Sequence, residues 1–255
     1  MKKRIFLMWF VLLCAKGFVC AESKLSIGPS IGVYAPSLRT WYTAWQALDN
    51  NNVHPYNRPI ALQCAGNLQW GISKNFGIGI NIGYWEISEY FYGNGGLDSS
   101  TYDTYNHQYE YKLDILPVEI APYYSICKFK FLKAKIGPTI GCAWASLRYD
   151  DRTWISEIYP TEDILQSDYY WKSTGSAVTF GLQSDLDITI WKRLSLSFNC
   201  GYKAGKIDNM VVNQSSDLTQ TEKPLVLEKM ATGAKTPISL ELNGMTIALI
   251  LKYNI

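Results

Sequence analysis

The sequence predicts an all-β protein, an eight-stranded antiparallel up-and-down transmembrane β-barrel with short turns at one end and four long loops at the other. Three observations lead there. Apolar residues recur at every second position over eight separate segments. The connections between those segments alternate between tight and long. The 255-residue chain is 47% hydrophobic and 14% aromatic but only 18% charged, whereas a soluble domain carries about 25% charged residues. That aromatic surplus needs an apolar medium to receive it.

Residues 1–21 read as an export signal and 22–255 as the barrel domain. Lys2, Lys3 and Arg4 supply the positive start, Ile5 to Leu13 an uninterrupted apolar run, and Val19-Cys20-Ala21 short side chains ahead of a cut after Ala21. The run is too short for a spanning helix, and Lys16 interrupts it. Neither Leu13-Cys14 nor Val19-Cys20 places a cysteine well for lipidation. The formal net charge of +2 includes Lys2, Lys3, Arg4 and Lys16, so the mature chain carries −2. A mildly acidic chain without a basic stripe excludes nucleic acid as the expected partner.

The first run sets Leu25, Ile27, Pro29, Ile31 and Val33 against Ser26, Gly28, Ser30 and Gly32. The second sets Leu62, Cys64, Leu68, Trp70 and Ile72 against Gln63, Ala65, Asn67 and Gln69, and turns at Lys74-Asn75 into the third, Phe76, Ile78, Ile80, Ile82 and Tyr84. The fourth shows Tyr111, Leu113 and Ile115, slips by one at Leu116-Pro117, and resumes as Val118, Ile120, Pro122 and Tyr124. A bulge at the proline is the expected cause. After a turn near Cys127 the fifth run alternates Leu132, Ala134, Ile136, Pro138, Ile140, Cys142 and Trp144 with polar or small residues. The sixth spans Val178 to Ile190, turns at Trp191-Lys192-Arg193, and leads to the seventh, Leu194 to Tyr202; the last, Met245 to Ile255, ends the chain. Long connections fall at 35–59, 86–108, 149–172 and 204–237, so both termini lie on the short-turn side, which is the periplasmic side of a small outer-membrane barrel.

The face opposite the apolar one carries Gly, Ser, Thr, Asn, Gln and charges. A lipid-binding calyx needs the reverse, so the apolar face is predicted to point outward. Pro29, Pro122 and Pro138 each forfeit a ladder donor and are expected at bulges or strand ends. The stretch Ile27-Gly28-Pro29-Ser30-Ile31-Gly32 followed by Ser37-Leu38-Arg39 matches Ile136-Gly137-Pro138-Thr139-Ile140-Gly141 followed by Ser146-Leu147-Arg148 at one offset of 109 residues. The first and fifth strands are thus read as equivalent.

The signal sequence, the Ser26-Ile27-Gly28-Pro29-Ser30-Ile31-Gly32 strand, the Leu113-Asp114-Ile115-Leu116-Pro117-Val118 segment and the closing Leu242-Asn243-Gly244-Met245 to Leu251-Lys252-Tyr253-Asn254-Ile255 resemble the outer-membrane protein β-barrel superfamily. Its members include small eight-stranded barrels of the adhesion, opacity and OmpX-like kinds. The resemblance implies the outer membrane of a diderm bacterium, outer-membrane lipid as solvent, the barrel-assembly machinery as partner during insertion, and no single shared activity. Family members end in an aromatic residue; this chain ends in Ile255, with Tyr253 two residues earlier.

Six charged residues fall at inward positions: Glu119, Lys133, Lys135, Asp185, Asp187 and Lys203. Hairpin geometry places Glu119 near Lys135, and Lys133 and Lys135 level with Asp185 and Asp187. An ion-paired plug is expected, since eight strands enclose only enough room for side chains. Cys64, Cys142 and Cys200 fall on the lipid face of strands that are not neighbours, and Cys127 in a turn, so no disulfide is expected. His54 and His107 read as loop histidines, His107 near Asp103 and Ser100 without an orienting partner. No catalytic residue, metal or cofactor is expected, because no metal-ligand spacing, phosphate-binding loop or nucleophile elbow is present; the acids Asp150, Asp151, Glu157, Glu162, Asp163 and Asp168 read as a solvated loop.

The loops hold the recognition candidates. Leu38, Trp41, Trp45 and Leu48 recur at helical spacing, and such a helix would cap the barrel, lie in the outer leaflet or offer its tryptophans to a partner. Tyr90, Tyr92, Tyr102 and Tyr105 make the second loop tyrosine-rich, suited either to a recognition surface or to strand extension with an interfacial belt. The leading reading is a monomer with a structural or adhesin-like role toward an extracellular protein or glycan. The alternatives are an interfacial lipid-modifying enzyme and a soluble periplasmic lipid binder.

Overall fold

The computed structural model describes residues 25–37, 60–73, 75–97, 104–129, 131–156, 163–208, 210–216, 226–228, 235–237 and 239–255. The export signal, the helix expected over 38–48 with Trp41 and Trp45, His54 and Tyr102 lie outside the described residues. The strands are β1 (Leu25–Pro36), β2 (Ala61–Gly71), β3 (Phe76–Leu97), β4 (Thr104–Lys128), β5 (Leu132–Ser156), β6 (Asp163–Trp191), β7 (Leu194–Ile207), β8 (Val211–Ser215), β9 (Val226–Glu228), β10 (Lys235–Pro237), β11 (Leu240–Glu241) and β12 (Gly244–Asn254). From β1 to β7 each strand pairs antiparallel with the next, and β12 joins β7 to β1, which closes a ring of eight. Beyond the ring, β8 prolongs the line of β7 beside β6, and β11 prolongs that of β12 beside β7.

Four ring strands are longer than expected. The loops read at 86–108 and 149–172 are largely strand: β3 runs to Leu97, β4 starts at Thr104, β5 runs to Ser156 and β6 starts at Asp163. Tyr90, Phe91, Tyr92, Tyr105 and Tyr109 are strand formers whose backbones continue the ladder, as in the pairs Tyr92–Gln108 and Tyr105–Ile155. His107 is likewise a strand residue, opposite Gly93 and Thr153.

The alternation of faces explains the apparent slip at Leu116-Pro117. The β3–β4 ladder keeps one register from Phe76–Tyr124 to Asn94–Asn106, so no bulge lies at the proline; the irregularity of β4 sits between Ser125 and Cys127. The apolar set changes face instead. In the lower part Ile80, Ile120, Ile140 and Trp144 point outward while Asn81, Glu119 and Thr139 point inward. Higher up, Trp85, Leu113, Ile115 and Leu147 point inward, and Glu86, Asp114 and Arg148 point outward. Leu113 and Ile115, expected on the outer face, are core residues. Their core also holds Tyr34, Trp171, Ile207, Met210, Leu240 and Leu242.

The lower wall has the dimensions of a membrane span. Between Leu132 and Trp144 on β5, a rise of about 3.4 Å per residue at a tilt of about 40° gives roughly 30 Å, enough for the ~25 Å apolar band and its girdles. Trp70, Tyr124, Phe129 and Trp191 are exposed at the turn end, and Trp144 and Tyr202 at the other edge, as interfacial aromatics are.

Pro29, Pro122 and Pro138 are interior strand residues rather than bulges or ends, for the ladders on either side of them keep register. Beside two of them sits a lumen-facing glycine that must be glycine. A Cβ on Gly28 would stand 1.8 Å from the Leu251 carbonyl oxygen, and one on Gly137 1.9 Å from that of Pro122. These positions are related by the 109-residue offset of the internal repeat, and they place the same close approach on β1 and β5, four strands apart in the ring. Gly137→Val should therefore destabilise the barrel by about 3 kcal/mol or more, read as loss of the heat-modifiable folded form on gels. Gly66→Val, at a position where an added Cβ would meet nothing within 4 Å, should leave that form intact.

Candidate functional site

Buried charged side chains converge in the lumen. Period-two alternation on β2, β4, β5, β6, β7 and β12 delivers them, and closure of the ring selects their partners. The lower cluster centres on Lys252 of β12, only 2% exposed. Its Nζ donates to Asp187 Oδ1 at 2.7 Å, Ser197 Oγ at 3.0 Å and Gln69 Oε1 at 3.2 Å, with Asp185 Oδ2 at 3.8 Å. Lys135 Nζ meets Asp187 Oδ2 at 2.5 Å and the same Gln69 oxygen at 2.7 Å. Gln69 Nε2 in turn donates to Asp185 Oδ2 at 3.1 Å, and Asn199 Nδ2 to Asp185 Oδ1 at 2.5 Å. Two ammoniums thus balance two carboxylates, with the Gln69 amide bound to both lysines and to Asp185. Lys133 stands at the edge, 5.8 Å from the Tyr123 ring centroid, over which Lys135 lies at 4.7 Å.

A second pair lies above. Lys203 Nζ of β7 meets both oxygens of Glu119 on β4 at 2.9 Å. Glu119 does not pair with Lys135, as the hairpin reading had it: its β5 neighbour is Gly141, and Lys135 lies opposite Ser125. Lys133 and Asp187 share a rung, as do Lys135 and Asp185. Between the two clusters remains a polar cavity of about 30 Å³, lined by Gln63, Asn67, Asn81 and Gln183 among others, room for about two waters.

Above the charges the lumen is apolar. Tyr34 and Trp85 rings meet at 5.0 Å, and Tyr34 Oη donates to the Leu242 carbonyl. Tyr111, Tyr149 and Trp171, in register across β4, β5 and β6, stack at 4.9 and 5.5 Å. This layer fills the barrel where the outer wall has become polar. Its signal was present in Leu113, Ile115, Leu147 and Trp171, whose phase is opposite to that of the apolar residues below them. Lys252 was equally legible as the residue between outward Leu251 and Tyr253.

The outer wall above the apolar band forms an ion-paired collar. Lys112 Nζ meets Glu86 Oε1 at 2.8 Å, Tyr84 donates to Glu86 and to Asp114, and Arg148 Nε meets Asp150 Oδ2 at 2.6 Å. The Lys112 hydrogen bond, then that of Tyr84, holds the Glu86 carboxyl down at about 2. Asp150, read as a loop acid, is a buried strand residue. Among the described residues no group of His, Cys, Asp and Glu could hold a metal ion. Cys64, Cys142 and Cys200 are exposed on the outer wall, and these three and Cys127 are free.

Comparison with protein families gives no match, and none of the curated proteins matches. Among solved structures the chain is similar to Ail, the attachment invasion locus protein of Yersinia pestis, at 10% identity and a TM-score of 0.36, over 91% of this chain and 97% of that one. It is similar to Neisserial surface protein A at 9% identity and 0.38, over 92% and 99%, and to a major outer membrane protein from Thermus thermophilus at 10% identity and 0.41, over 92% and 100%. The chain's own closed ring, whose apolar outer band surrounds the polar, ion-paired part of the lumen, is that of an outer-membrane β-barrel.

Replacing Lys252 by Met should leave Asp185 and Asp187 without their central cation and cost about 3–5 kcal/mol in urea unfolding; the double change Lys252→Met with Asp187→Leu should cost less, because the pair leaves together. For the collar, a carboxyl held below its ordinary value stabilises the fold above that value and loses its contribution as pH falls toward 2. Glu86 and Lys112 are about a third exposed, so the effect on stability is small. In NMR titration of the detergent-solubilised barrel, Lys112→Gln should move the Glu86 midpoint up toward 4.5.

Proposed function

We propose that the protein is a closed, monomeric outer-membrane barrel with a structural and surface-recognition role, and that residues 1–21 are an export signal removed on the way. The observation behind this reading is the double seal of the lumen. Solutes meet an apolar layer around Trp85, Leu147 and Trp171 and then a layer of paired charges around Lys252. Every described lumenal carboxylate has a cationic partner, which fits a structural role for these groups better than catalysis.

What the barrel presents outward is the high wall of β3 to β6 and the loops on it. Trp41, Trp45, Tyr90, Tyr92, Tyr102 and Tyr105 are the candidate contact residues, and tyrosine and tryptophan give large contact area at low entropic cost. An extracellular protein or glycan is the ligand class, with outer-membrane lipid as solvent and the barrel-assembly machinery as the partner of insertion.

Two measurements test this reading. In planar bilayers the barrel should show no steady conductance, and the Lys252→Met, Asp187→Leu variant should stay closed because the apolar layer remains; an open channel in the unaltered protein would sink the proposal. On cells displaying the barrel, Trp41→Ala with Trp45→Ala should abolish binding to host-cell surfaces while heat-modifiable migration is kept. Unchanged binding would remove the loops from the function.

A further inference from the structure

The two ends of the barrel differ in charge in a way the near-neutral total conceals. The three tight turns read Ser73-Lys74-Asn75, Lys128-Phe129-Lys130-Phe131 and Trp191-Lys192-Arg193. Across 68–76, 124–132 and 188–196 the sequence holds these five cations and not one Asp or Glu. The loop-side segments 36–60, 86–114, 148–172 and 206–241 instead hold eighteen acidic residues against ten basic. The cations have therefore not been scattered for solubility; they gather at the three turns, where Asp and Glu are missing.

Lys128, Lys192 and Arg193 are exposed, and they stand beside aromatics that are exposed as well. Trp191 is 73% exposed, Phe129 68% and Phe131 62%. Such rings gain nothing from water. In a headgroup layer they sink to the acyl boundary while neighbouring Lys and Arg stems reach back to the phosphates. Arg193 is held for this: its Nη1 donates to Tyr253 Oη at 3.3 Å, and its carbonyl accepts the Asn254 backbone N–H at 2.8 Å.

We propose that this turn rim is a binding surface for anionic phospholipid headgroups, engaged by Lys128, Lys192 and Arg193 and anchored by Phe129, Phe131 and Trp191. Charge complementarity and the interleaved aromatics favour a lipid over an acidic cell-wall polymer, which would take up the charges but leave the rings in water. Each cation near an anionic bilayer adds attraction that falls off within a Debye length, so the surface selects among lipids and is salt-sensitive. It depends on the chain spanning a membrane and not on what the loops bind.

The test reconstitutes the full mature chain in phosphatidylcholine vesicles containing spin-labelled phosphatidylglycerol or spin-labelled phosphatidylcholine and compares the fraction of each held at the protein surface. The unaltered barrel should retain the anionic probe several-fold more strongly at low salt, and lose that preference at high salt. Lys128→Gln, Lys192→Gln and Arg193→Gln together should abolish it, while Lys112→Gln with Arg148→Gln and Lys172→Gln on the loop side should leave it unchanged. Equal retention of both probes by the unaltered barrel overturns the proposal, as does a preference that survives the turn variant or follows the loop-side one. Sedimentation with isolated peptidoglycan that depends on the same three cations, without lipid preference, also overturns it. Should the triple variant fail to show heat-modifiable migration, Lys192→Gln alone and the salt titration of the unaltered barrel decide the matter, by a partial loss and a full loss of preference respectively.

Discussion

A strand that leaves hydrocarbon and continues into water cannot break its ladder at the boundary, because an unpaired peptide group on the lipid side costs several kcal/mol. This barrel therefore carries one register through the interface, from Phe76–Tyr124 to Asn94–Asn106 on the β3–β4 pair. With the register unbroken, each side chain's face is set by its parity alone. Only the kind of residue on each face can change. It does so at the level of Tyr84, Leu116 and Trp144, where the apolar set crosses from the outside of the wall to the inside.

Two layers of different physics follow from that exchange. Below it the wall is solvated by lipid, so the lumen is where polar groups collect, and being enclosed they must satisfy one another. Gln69 takes both lysines on its oxygen and gives its amide hydrogen to Asp185, which lets two like-charged ammoniums share a site. Above the exchange, water surrounds the wall and the interior is a hydrophobic core of the ordinary kind, with Trp85, Leu113, Ile115 and Leu147 contributing the burial that the lower lumen cannot. Glycines at 28 and 137 let neighbouring strands approach at opposite sides of the ring.

Much of this was legible in the residues. Period-two alternation located all the ring strands, and it placed Cys64, Cys142 and Cys200 on the outer wall, where they are found exposed and unpaired. It failed where the apolar face changed sides. The slip at Leu116-Pro117 resembles a bulge because a bulge also shifts the phase of the pattern by one. Proline made that explanation attractive, although Pro117 lies in a continuous ladder opposite Ala143. Tyr- and Gly-rich stretches such as Tyr90 to Gly96 leave loop and strand extension both open in the sequence, because period-two apolar alternation ends where the wall leaves lipid although the ladder continues to Leu97. Proximity along a hairpin was also a poor guide to charge pairing, since Glu119 reaches Lys203 rather than Lys135.

The sequence by itself determined the strand number, the outward apolar band and the asymmetry of short turns and long connections, because each is a local property of spacing and composition. The tertiary structure alone decided which face is buried at each height and which charge meets which. Lys252 on β12 reaches Asp187 on β6 past Ser197 of the intervening β7, and Glu119 on β4 meets Lys203 on β7. Those encounters are created by closure of the ring, a long-range condition that no spacing along the chain records.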